Sequence, residues 1–117
     1  MTASSGLLTA GEALATAAKL VTGDRDRQHG AKYQNFSNIA DLWSTFLGVG
    51  DGGVLQRALT ASDIGRLMVL YKMARTKSGA HNPDDYIDAA GYAGCALECQ
   101  ELEGVAEALR DGNTAAA

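Results

Sequence analysis

Proline occurs once in this chain of 117 residues, cysteine twice, tryptophan once and phenylalanine twice. With Pro83 alone, long segments are left free to be helical, since a proline inside a helix breaks it. Strict apolar/polar alternation is missing as well, and with it the signature of half-buried strands. Two cysteines exclude a disulfide framework. Cys95 and Cys99 have no second Cys/His pair near them, which makes a poor zinc site; four apart on a helix, they read as buried structural thiols. No apolar run approaches the ~20 residues needed to cross a bilayer. The opening MTASSGLLTAGE has no basic segment of the kind that begins a secretory signal. Clustered cations are absent too: ten Lys and Arg are scattered through a chain of net charge −4. A general duplex-binding surface is thereby excluded, because counterion release needs cations grouped together. The expectation is a cytoplasmic protein with neither membrane nor duplex nucleic acid as a partner.

What is present is ample apolar material. Hydrophobic residues make up 46% and charged residues 21%, enough to exclude disorder for the body of the chain. A folded chain of this mass exposes roughly 6,000 Å² and buries about two-thirds of its surface, so a core needs no staples. The expected organisation is a single domain over residues 1–117, with 1–8 and 111–117 fraying.

Thr9 and Glu12 have capping-box spacing and open a first helix that runs to about Val21. The polar stretch TGDRDRQHG then interrupts. A second helix spans about Ala31 to Leu47, with Phe36, Ile39, Ala40, Trp43, Phe46 and Leu47 on one stripe. Gln34, Asn38, Asp41 and Thr45 form its solvated strip. Gly48 ends it, and GVGDGG predicts a flexible turn without the Lys-Ser/Thr of a phosphate loop. Thr60 and Asp63 cap a third helix reaching about Lys77 and apolar nearly all round. Asn82 and Pro83 start a fourth, a favoured N-cap and first-residue pairing. It reaches Leu97 at least and extends toward Leu109, with Gly104 a candidate break. The small residues Ala89 to Gly94 permit close helix contact. The predicted fold is an all-α four-helix bundle. Its predicted core is Phe36, Ile39, Trp43, Phe46, Ile64, Leu67, Met68, Ile87, Ala90 and Leu97. The small-residue stretch and the apolar third helix predict a homodimer or larger assembly.

Candidate chemistry lies where a charge is not explained by capping. Asp84 and Asp85 fall in the first turn of the fourth helix, where the dipole favours carboxylates. Asp88 lies beyond that turn, beside Ile87, Tyr92 and Cys95, and shares a face with Asp85. Two carboxylates so placed repel unless a cation sits between them. That cation is either Lys72 or Arg75 of the third helix, in a structural ion pair, or a divalent metal such as Mg²⁺. In the second case metal and cations together would hold a polyphosphate. Arg25, Arg27 and His29, beside Gly30, form a turn suited to a phosphate. No Ser/His/Asp or Cys/His arrangement is readable.

Four blocks carry a resemblance: RQHG (27–30), NFSNIADLWS (35–44), DIGRLMVLYKMAR (63–75) and DDYIDAAGYA (84–93). In this order they resemble the small phage and prophage proteins of the DUF6378 family, a domain without assigned function. A more distant likeness is to the MazG-like all-α nucleoside triphosphate pyrophosphohydrolases, whose helices carry E-x-x-E and then E-x-x-D. Asp85-x-x-Asp88 resembles the second pair, and Asp63-x-x-Arg66 stands where the first would be, with Arg66 replacing an acid. The likeness implies Mg²⁺ or Mn²⁺ held by Asp63, Asp85 and Asp88, which are also the catalytic residues. It assigns the phosphates of a (d)NTP to Arg27, Lys72 and Arg75, and implies an oligomer in the host cytoplasm. The alternative is a non-catalytic phage protein that binds nucleotides or interacts with a host system. A plain structural bundle with ion pairs is the third reading.

Overall fold

The computed structural model describes residues 6–23 and 32–116, and among them are four α-helices: α1 (Ala10–Thr22), α2 (Lys32–Leu47), α3 (Ala61–Arg75) and α4 (Pro83–Ala116). Among the described residues the β contact is one isolated bridge, Val49 to Leu55. The helix starts follow local chemistry. Glu12 N–H donates to the Thr9 hydroxyl at 3.2 Å and Thr9 N–H to the Glu12 carboxylate at 2.8 Å, a reciprocal capping box. Thr60 and Asp63 repeat the device at α3. At α4 the Asn82 side-chain oxygen accepts from Asp84 N–H at 3.1 Å, ahead of Pro83 in the first helical position. Gly104 does not interrupt α4, which continues to Ala116.

The segment between α2 and α3, expected to be flexible, is a closed, hydrogen-bonded loop. Val54 N–H donates to Leu47 C=O and Leu55 N–H to Gly48 C=O, both at 3.0 Å. Gly48 stands at φ 82°, where a side chain would be strained, and a Cβ on Gly53 would lie 2.4 Å from the Gly48 carbonyl. Leu59 N–H then donates to the Ser44 hydroxyl at 2.8 Å, fastening the end of the loop to α2.

α3 and α4 run antiparallel, with α1 against α4 and α2 against both. At the α3–α4 crossing a Cβ on Gly65 would lie 2.7 Å from the Ala96 Cβ, so glycine is what lets the backbones approach. Residues 61–65 are consequently buried one after another. Around this crossing Phe36, Ala40, Ala61, Ile64, Cys95 and Cys99 form the core, flanked by Val21, Ile39, Met68 and Tyr92. The small residues Ala89 to Gly94 receive α1 of the same chain, where Gly91 faces the Val21 side chain.

The predicted core needs correction. Phe36, Ile64 and Ile87 are buried, and Ile39, Met68 and Ala90 partly so. Trp43, Phe46, Leu67 and Leu97 are exposed. On α2 the reason is angular. At about 100° per residue, Phe36, Ala40 and Ser44 occupy one edge of the apolar stripe, and the chain's own helices cover that edge alone.

Gly65→Ala should overpack the crossing and destabilise the chain by about 1–3 kcal/mol. A urea-unfolding midpoint lowered by that amount is the expected result, while Gly94→Ala, mid-helix with open space around it, should raise the midpoint slightly through helix propensity.

Candidate functional site

Two charged clusters lie along the α3–α4 seam. Near the turn between the helices, Lys72 Nζ is 3.0 Å from Asp88 Oδ2 and Arg75 Nε is 3.1 Å from Asp85 Oδ1. Asp85 is buried and Asp88 and Lys72 are largely so, whereas Arg75 reaches solvent. The spacing explains the match: residues three apart on one helix face residues three apart on the antiparallel neighbour. Tyr71 supports both cations, with its ring centroid 5.9 Å from Lys72 Nζ and from Arg75 Cζ. Beside them an open hollow of about 310 Å³ is lined by Arg75, Ser78, Gly79, Ala80, Asn82 and Asp85.

The second cluster surrounds the start of α3. Asp63 accepts two hydrogen bonds from Arg57, at 2.7 and 3.2 Å, and one from Arg66 at 2.7 Å. It also closes the Thr60 capping box. The Arg57 guanidinium holds the Asp63 carboxyl well below the usual carboxylate range, and Arg66 and Thr60 add to this against the opposing effect of burial. From α4, Glu103 accepts from Ser62 N–H at 2.9 Å and from the Ser62 hydroxyl at 2.7 Å, while Arg66 donates to Gln100 at 3.3 Å. Deeper in the core, burial pushes the Cys99 thiol up to about 11, with Cys95 beside it adding to the effect.

The candidate residues therefore fall into two separate groups. Asp85, Asp88, Lys72 and Arg75 are brought together. Asp63 is not among them: it stands nine residues before Lys72, about 13 Å away along α3. The α3 residues that face Asp85-x-x-Asp88 are Lys72-x-x-Arg75 rather than Asp63-x-x-Arg66. Among the described residues no three or more His, Cys, Asp or Glu side chains are grouped so as to hold a metal ion. Arg27 lies outside the described residues. Sequence reasoning missed Arg57, Ser62, Gln100 and Glu103. Arg57 sits in an irregular loop with no periodicity to orient it. Glu103 reaches Ser62 across 41 positions, a pairing only the register of two helices reveals.

Fold and seam define an all-helical protein whose last two helices are joined by charged pairs, with no helix among the described residues long and apolar enough to cross a membrane. The chain belongs to the DUF6378 family, "Domain of unknown function (DUF6378)", whose model matches residues 12–100. It is similar to the "Gene 55 protein" of Mycobacterium phage D29, 37% identical over 82 residues, covering 70% of this chain and 49% of that protein. It is also similar to the "Gene 55 protein" of Mycobacterium phage L5, 34% identical over 89 residues, covering 76% of this chain and 52% of that protein. The chain thus spans about half the length of the curated relatives it matches. No solved structure matches it.

Two outcomes follow from the clusters. Asp63 titrates lower in the folded chain than the ~3.9 of a free aspartate, so the unfolded chain takes up the proton more readily. Its contribution is complete above about pH 5, begins to be lost as the pH falls through the ordinary carboxylate range, and goes on falling toward the lower folded-state value. The urea midpoint should drop between pH 5 and pH 3, and drop less in Asp63→Asn. Asp88→Asn removes the partner of a largely buried Lys72 and should cost about 1–3 kcal/mol at neutral pH, read by the same unfolding curve.

Proposed function

We propose that this phage protein is a non-catalytic helical binding module, acting by association rather than by splitting nucleotides. One observation carries the reading: the face opposite Asp85-x-x-Asp88 bears Lys72-x-x-Arg75 at pairing distance. A hydrolytic Mg²⁺ centre depends on several carboxylates converging with uncompensated charge, to hold the ion and activate a bound water. Here each carboxylate of the pair has a cation of the same chain 3.0–3.1 Å away. Among the described residues no third carboxylate joins the pair, and Asp63 is already held by two arginines. This donor set does not fit the metal centre that the likeness to pyrophosphohydrolases implies, and the reading routes no chemistry through a metal.

The hollow beside Arg75 favours a second reading, Mg²⁺- or Mn²⁺-dependent pyrophosphohydrolysis of (d)NTPs. It is large enough for the polyphosphate of a nucleotide. In that reading Asp85 and Asp88 hold the metal, Lys72 and Arg75 meet the phosphates, and Asp63 must come from another copy of the chain.

Incubating the purified chain with each dNTP, with and without Mg²⁺ or Mn²⁺, separates the two. The expected result is no pyrophosphate release above background. Metal-dependent release that disappears in Asp88→Asn would overturn the proposal and establish the second reading.

A further inference from the structure

α4 has 34 residues and α3 has 15, about 51 Å against about 22 Å of helix. The two run antiparallel, and Ser62 in the first turn of α3 is hydrogen-bonded to Glu103. Residues 104–116 of α4 therefore continue past the start of α3, for about 20 Å. Gly104 and Gly112 stand in open space along this stretch. A helical end of that length is marginal in water on propensity alone, and two glycines weaken it further. Helices in proteins draw most of their stability from packing an apolar face.

This end carries such a face. Leu102 (41% exposed), Val105 (56%) and Leu109 (63%) stand at i, i+3 and i+7, which aligns them in one seam. Glu98 lies one turn before Leu102 and Glu101 one turn before Val105, so carboxylates extend the same line toward the body of the fold. The charge around the seam has one sign. From Leu97 to Asp111 the sequence has five Asp and Glu against a single base, Arg110. The surface already takes up one cation: Lys32 of α2 lies 3.3 Å from Glu98, its side chain only 15% exposed.

We infer that the far end of α4 is a docking surface for a basic amphipathic helix of another protein. The seam supplies apolar burial, and the carboxylates select the lysines and arginines that flank the partner's own stripe. Charge decides among the occupants. Nucleic acid and anionic lipid present phosphates, which five carboxylates repel. A second copy of this end brings the same excess of carboxylates, so self-contact here sets like charge against like. The inference names a partner for the association proposed above but draws on none of the ion-paired residues, so either reading can fail alone.

The probe is a fluorescein-labelled synthetic peptide of leucine and lysine, with leucine at i, i+3, i+4 and i+7. Titrated with the full chain, it should give saturable anisotropy that weakens as salt is added. Amide shifts in the NMR spectrum should concentrate between Glu98 and Gly112. Val105→Gln and Leu109→Gln place a good helix former at exposed positions, so the far-UV spectrum should hold. Each should weaken the peptide by about tenfold, the scale of one buried aliphatic side chain. Absence of saturable binding would overturn the inference, as would binding that ignores both substitutions. Equal binding of a peptide with its leucines scrambled, or with glutamate for lysine, would do the same. So would shifts of this seam on adding vesicles of neutral or anionic lipid, or a dimer of the chain that Leu109→Gln dissolves. No nucleotide or metal enters these measurements, so they are read independently of the turnover assay.

Discussion

The approach of α3 to α4 at Gly65 and Ala96 is the constraint on which the remaining contacts depend. With a hydrogen in place of a methyl group, the two backbones come close enough to bury five consecutive residues of α3. That contact also sets the antiparallel register. On one side of it Ser62 meets Glu103 and Arg66 meets Gln100; on the other, Lys72 meets Asp88 and Arg75 meets Asp85. Sliding one helix by a single turn would break these pairings and leave one carboxylate of Asp85 and Asp88 without a cation opposite it. Polar pairs at a helix seam specify alignment through this penalty against the wrong register more than through their net gain in stability.

The two charged clusters divide that task between the ends of α3. At its start, Asp63 is a hub whose oxygens serve the capping box and two arginines at once. At its end, Lys72 and Arg75 cancel the repulsion between two carboxylates of α4. Every side-chain polar atom buried among the described residues has a partner, as a fold of this size requires. The same arrangement bears on function. A carboxylate pair matched by cations at the same spacing is already compensated, and an incoming metal ion would have to displace them.

Much of this is legible in the amino-acid sequence. The helix starts are, because capping is local: Thr9 with Glu12, Thr60 with Asp63, and Asn82 before Pro83 each state their role within four residues. The ion pairs at Asp85 and Asp88 were legible as one of two alternatives, since periodicity put the acids on a shared face and the cations on the helix before them. What periodicity could not supply was the vertical alignment of α3 on α4. The likeness to pyrophosphohydrolases set the same acids against Asp63 and Arg66, where the structure sets Arg75 and Lys72 opposite them. The burial of Trp43 and Phe46 went astray for a related reason. An apolar stripe shows that a face seeks cover, and says nothing of whether the same chain provides it. The loop at Gly48 to Gly53 read as slack because glycine permits many conformations. Here it permits the one that the hydrogen bonds require.

Cys99 is wholly enclosed and Cys95 nearly so, one turn apart against the inner side of α3. A thiol with its pKa raised to about 11 offers almost no thiolate at neutral pH, and thiolate is the form that reacts. In the intact fold these sulfurs are chemically silent. They become accessible when the helices packed over them open, so alkylation of the native chain would report how often that opening occurs. The protein thus carries an internal clock for its own principal helix contact, readable by mass without any label being engineered into it.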